Sequence, residues 1–149
     1  MKLTSIPLGI MFIGSFIIQY FFMPPIMVND IIYITNNIGK AYLATIMALF
    51  MVLLEIIIHD QHYGILSLNW YAILIASLAL FIYLYRKQVA VDDKQYLEGM
   101  IEHHSMALFT SDEILKKTDN YHIAKLAKNI KSQQTDELRV MDELLQKLN

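Results

Sequence analysis

Residues 66–87 read LSLNWYAILIASLALFIYLYRK. Leu66 to Tyr85 carries no charge, and the run closes on the basic pair Arg86-Lys87. A bilayer core about 30 Å thick needs roughly 20 apolar residues in helical form, so this stretch has the length of one membrane crossing. Composition differs on its two sides. Before Arg86 only Lys2, Asp30, Lys40, Glu55 and Asp60 are charged, whereas from Lys87 onward the chain is rich in Lys, Asp and Glu. A break of this kind separates a membrane part from a water-facing part.

Two further low-charge runs lie upstream. Ile6 to Val28 is 23 residues without a charge. It is too long for the apolar region of a signal peptide, and no small-residue cleavage motif follows it. Pro24-Pro25 should end or kink its helix in the last turn. Ala41 to Ile58 holds one charge, Glu55, and is short for a span unless snorkelling ends extend it. The pattern predicts three transmembrane helices at 6–28, 41–58 and 66–85. Polar surface loops are expected at 29–40 (NDIIYITNNIGK) and 61–69. Three crossings put the termini on opposite faces. A cytoplasmic tail sets Lys40, Arg86 and Lys87 inside and Lys2 outside, an arrangement the positive-inside rule favours by a few charges. The expected location is integral to a plasma or inner membrane.

The net charge of -2 offers no basic field for nucleic acid, and the absence of cysteine excludes disulfides and thiolate ligands. Beyond Asp92 the periodicity changes. Leu97, Ile101, His104, Leu108, Ser111 and Leu115 recur at the spacing of one helix face. Thr118-Asp119-Asn120 reads as a turn. A second helix to about Leu148 then carries Ile123, Ala127, Ile130, Gln134, Glu137, Met141 and Leu144 on one face. Nothing between Tyr85 and Leu97 clearly breaks a helix, which leaves room for the third span to run straight into the tail. The expectation is an all-α chain with a three-span membrane region at 1–88 and an antiparallel helical hairpin at 89–149. A bare hairpin of this size buries little surface, so pairing with a second copy, or docking elsewhere, is expected.

The stretch 97–109, LEGMIEHHSMALF, sets His103 and His104 side by side between Met100 and Met106. Antiparallel pairing about residue 119 places residue 104 opposite roughly 134, so the histidines should meet Gln134, Glu137 and, further along, Met141. Imidazole and carboxylate suit Cu(II), Zn or Fe, and thioethers shift preference toward Cu(I). The competing reading is a core histidine hydrogen-bonded to Glu137, with the methionines as adaptable filler. In the membrane part Met47, Met51, Glu55 and His59 recur at intervals of four, and Tyr20, Met23 and Met27 follow a similar line on the first span. A glutamate within a span marks a functional candidate, although Glu55 lies near the expected end of its helix, where it can snorkel. Asp60 and His62 read as solvated loop groups.

The tail resembles the domain-of-unknown-function family 305. Members carry an aspartate, then Met-Ile-Pro-His-His, then a late Gln-x-x-Glu-Ile-x-x-Met. Here Asp93, or less closely Asp92, stands for the aspartate; Met100, Ile101, His103 and His104 match position for position; Gln134, Glu137 and Met141 complete the pattern. Glu102 occupies the usual proline position, Met106 a usual glycine, and Thr110 a frequent methionine. The resemblance covers roughly residues 92–145. Membrane-attached relatives share a methionine-rich first pair of spans with Asn-Asn and Tyr in the loop, as Asn36-Asn37 and Tyr42 are here. The resemblance implies a ferritin-like four-helix bundle, of which this hairpin is half, and a part in copper binding or tolerance.

The implied metal ligands are His103, His104, Met100, Glu137, Met141 and Gln134, with copper first and zinc or iron as alternatives. The expected partners are the metal ion, membrane lipid and further copies of the chain, forming a homo-oligomer. No Ser-His-Asp set, phosphate loop or H-E-x-x-H appears. One glutamate near the histidines falls short of a di-iron carboxylate site. The sequence therefore points to a membrane-anchored metal-binding protein of copper homeostasis, not an enzyme. The alternative is a metal-free structural or oligomerisation protein of the membrane, in which buried polar groups fix register.

Overall fold

A computed structural model describes residues 5–148, all of whose regular elements are helical. Helix α1 (Ser5–Ile17) widens into a π turn at Ile18–Phe22 and is followed by the short α2 (Pro24–Met27) and a 3-10 turn at Ile31–Tyr33. Then come α3 (Ile38–Tyr63), α4 (Leu68–Arg86), α5 (Asp93–Leu115) and α6 (Tyr121–Leu148). Contacts divide the chain into two units. One comprises the chain up to Phe22 with Ile38–Ala90, and the other Met23–Asn37 with Val91 onward.

In the first unit α3 packs against both α1 and α4. Leu8, Ile46, Leu49, Val52, Ile56, Leu74 and Leu78 form its core. Ala44 and Ala48 are wholly buried on α3, where small side chains let a neighbouring helix approach closely. Outward-facing residues such as Ile10, Phe22, Leu54, Ile75 and Leu80 leave large apolar side chains exposed. Ser5–Met27, Ile38–Tyr63 and Leu68–Arg86 are each long and apolar enough to cross a membrane.

Three local features depart from the sequence reading. The double proline acts earlier than its own turn. Pro24 has no N–H, and its ring would strike the Tyr20 carbonyl in α geometry. The chain widens to π over Ile18–Phe22 before restarting at Pro24. Helix α3 also overruns its expected bounds, reaching Tyr63, and Gly64 (φ 62) then turns the chain. The expected loop at 61–69 shrinks accordingly. Asp60 is buried rather than solvated, and accepts hydrogen bonds from Ser67 N (2.6 Å) and Ser67 Oγ (2.7 Å). It thereby ties the end of α3 to the start of α4.

Third, α4 does not run into the tail. Gln88 lies in the left-handed region (φ 50), Val89 N reaches back to Leu84 O (3.0 Å) and Gln88 N to Tyr85 O (3.1 Å). This is the Schellman ending of a helix, with glutamine where glycine is usual. The Gln88 side chain compensates by donating from Nε2 to Tyr85 O at 2.6 Å. Ala90 is left-handed too (φ 59), and Asp92 opens α5 as an N-cap, accepting from Gln95 N at 2.8 Å.

The second unit is the hairpin of α5 and α6. Asn120 Oδ1 caps α6 by accepting from His122 N (2.9 Å) and Ile123 N (3.2 Å). Leu97, Ile101, Leu108, Leu138 and Met141 form the core, with Met100, Leu145 and Tyr33 against it. The face expected on α5 is the buried one. On α6 the buried seam is rotated from the expected face. Ala127, Leu138 and Met141 are inside, whereas Ile123, Glu137 and Leu144 are exposed. Residues 29–37 are not a free surface loop. Asn29 N donates to Ser105 Oγ (3.0 Å), Thr35 N to Glu102 Oε2 (3.0 Å), and Thr35 Oγ1 to the Glu98 carbonyl (2.8 Å). Glu102 and Ser105 are both buried, so α5 has an apolar face toward α6 and a polar face that binds this segment.

Candidate functional site

The site forms where α5 and α6 cross near their midpoints. His104 falls on the buried stripe of α5, three residues after Ile101 and four before Leu108, and is 7% exposed. Its Nδ1 lies 3.2 Å from Glu137 Oε2. The contact is close enough for an ion pair but misaligned for a hydrogen bond, and this buried nitrogen has no other hydrogen-bond partner among the described residues. Burial holds the His104 pKa below the ordinary histidine value. The Glu137 carboxylate pulls it partly back up, and His103 pushes it down again. A neutral imidazole keeps a lone pair for a ligand.

Glu137 is half-exposed on α6, and Gln134 Nε2 donates weakly to its Oε2 at 3.4 Å. Met141 is buried in the core cluster one turn beyond Glu137, and Met100 packs against the same cluster. The structure therefore brings His104, Glu137 and Gln134 together and sets both thioethers in the adjoining core. His103 is exposed, its ring centre 6.0 Å from that of His104. Among the described residues no three of His, Asp and Glu converge as a metal-holding group. One chain thus offers an imidazole and a carboxylate. Further donors have to be thioether, amide or another molecule's groups.

The candidates in the first unit are arranged differently. Met47 and Met51 are exposed on α3, and Glu55 is half-buried eight residues before the helix end, not within a turn of it. His59 Nδ1 lies 3.3 Å from Asp60 Oδ1, and the rings of His59 and His62 each sit 4.7 Å from that of Tyr63. The sequence reading missed Glu102, Ser105 and the Asp60–Ser67 pair. Glu102 left one trace, as an acid in a position where the family carries proline.

The family described as Domain of unknown function (DUF305) matches over residues 83–149, which takes in the whole hairpin. The uncharacterized protein L153 of Acanthamoeba polyphaga mimivirus is 33% identical over 136 residues, 91% of this chain and 89% of that protein. That similarity is longer than the family segment and so extends into the three apolar helices. No solved structure matches the chain. The family match across the hairpin, together with a relative similar along nine-tenths of the chain, places this protein in the DUF305 family.

Proposed function

We propose that this is a membrane-anchored metal-binding protein whose hairpin holds copper. The observation that carries the reading is the Nδ1 of His104, buried, without an aligned partner, and beside a carboxylate. An unsatisfied buried polar atom costs about 1–3 kcal/mol, a cost that a ligand at this nitrogen removes. His104 would be the principal ligand, Glu137 the charged one, and Met100 and Met141 the soft ones. Gln134 would orient Glu137. His103, on the surface, would meet the ion as it arrives. Imidazole with thioether favours Cu(I) and keeps some affinity for Cu(II). Zinc and iron are the alternatives.

Membrane anchoring draws support from the second unit. Crossings at α1, α3 and α4 would put the segment between the first two helices on the same side as the tail. Residues 23–37 and the tail belong to one compact unit, an association that this topology permits. At 1.5 Å per residue α3 would be about 39 Å long and α4 about 28 Å, one longer than a bilayer core of about 30 Å and the other close to it. The charge bias sets the hairpin in the cytoplasm.

A second reading keeps the histidine purely structural. The 3.2 Å approach of His104 to Glu137 favours it, since a buried polar residue can fix register without any ligand. Titration of full-length protein in detergent with Cu(I) and Zn separates the two, comparing wild type with His104→Ala and His103→Ala. Loss of a tight Cu(I) site in His104→Ala, with helicity retained, supports the metal role. No binding by the wild type, with unfolding of His104→Ala, returns the histidine to the core.

A further inference from the structure

Helix α6 carries two seams. One packs on α5. The other runs through Leu126, Ile130, Gln133, Glu137, Val140 and Leu144, at alternating intervals of four and three. That is the repeat of a helix that packs lengthwise on another helix. Leu126, Val140 and Leu144 are 60%, 48% and 44% exposed, so this second seam is open. It has a polar centre with two apolar residues on either side. Laid antiparallel on itself, a single register sets Leu126 against Leu144, Ile130 against Val140 and Gln133 against Glu137.

Charge agrees with that direction. The first half of α6 carries Lys125, Lys128 and Lys131, and in the second half four acids outnumber Arg139 and Lys147. Antiparallel pairing sets opposite halves face to face, while parallel pairing sets like against like.

We infer that a second copy of this chain docks antiparallel along the exposed seam of α6, closing a four-helix bundle, and that the metal site is shared across the interface. In this register the partner subunit's Gln133 faces Glu137. The two Glu137 residues are offset by four positions, about 6 Å along the helix, so both His104–Glu137 pairs join one polar layer. This supplies the donors a single chain lacks. It also accounts for an exposed carboxylate in the middle of an apolar stripe. The sharing of ligands rests on the metal reading, whereas the pairing of the helices does not.

The chain has no cysteine, so introduced ones report alone. Ile130→Cys and Val140→Cys variants of the full-length protein, differently tagged, are co-expressed, purified in detergent and treated with a short bismaleimide. A cross-linked heterodimer is expected from the mixture, with no cross-link from either variant by itself. A monomeric mass, or self-linkage of Ile130→Cys, overturns the interface. Leu144→Glu, on an exposed position, is expected to stay helical, lose the dimer and bind Cu(I) at least about tenfold more weakly with every ligand intact. Unchanged copper affinity in a monomeric Leu144→Glu protein overturns the sharing of the site. Cross-linking without any copper binding by the wild type upholds the dimer and removes the metal reading alone.

Discussion

Replacement of Glu102 by alanine tests the way α5 holds the segment before α3. Glu102 is buried, and its Oε2 accepts from Thr35 N at 3.0 Å and from Thr35 Oγ1 at 3.3 Å. The hydroxyl keeps its bond to the Glu98 carbonyl, so the principal loss is the backbone bond. A hydrogen bond to a carboxylate contributes about 1.5–3 kcal/mol. Thr35 is only half-buried, and water can partly replace the lost acceptor, which sets the expected cost near the lower end, about 2 kcal/mol. That corresponds to roughly a thirtyfold rise in local opening. Hydrogen exchange of the full-length protein in detergent, followed by mass spectrometry, reads this directly in peptides covering 29–37. Glu102→Gln retains an acceptor and is expected to raise exchange by less than about tenfold. Peptides from α6 should exchange as before in both variants, since that helix meets the other face of α5. Unaltered protection over 29–37 in Glu102→Ala would refute the claim that this carboxylate holds the segment.

Three further outcomes follow from the same geometry. Because burial lowers the His104 pKa in the fold, the unfolded chain takes up this proton first as pH falls. Its stabilising contribution is therefore whole above the unfolded value of about 6.5, is lost as pH drops from there toward the folded value, and levels off below it. Thermal unfolding at a series of pH values should show that slope in the wild type and a flatter one in His104→Leu. Asp60→Ala removes two short hydrogen bonds from Ser67 and is expected to lower the melting temperature more than Ser67→Ala does, since it also leaves the Ser67 N–H without its acceptor. Ala90 is left-handed, so Ala90→Val should destabilise by about 1 kcal/mol or more, while Ala90→Gly should be neutral or slightly stabilising; equal effects from both would contradict the strained backbone.

Much of the helical plan was legible because it rests on local signals. Low-charge runs marked three long helices, and the Ile101–His104–Leu108 spacing marked the buried face of α5. The approach of His104 to Glu137 followed from counting outward from the turn. What escaped were features set by backbone geometry or distant partners. A glutamine in the left-handed conformation at position 88 carries no compositional flag, so the end of α4 was not visible. The burial of Asp60 depends on Gly64 bending the chain so that Ser67 faces it. The polar face of α5 could not be read either. Glu102 and Ser105 look like solvent-facing residues until their partners, 67 and 76 positions upstream, are known. On α6, two overlapping 3-and-4 patterns share one helix, and a single-face reading mixed members of both.

Those separations bear on how the protein is made. Asn29 and Thr35 leave the ribosome well before the residues that receive their N–H groups. At about 5–20 residues per second, synthesis of the intervening stretch takes several seconds. During that interval the connection between the first two long helices is complete in covalent terms, but the amides of Asn29 and Thr35 have only water in place of their α5 acceptors. Its final conformation is conferred by the last third of the chain, and a nascent protein stalled before Glu98 would carry the same segment without its docking surface.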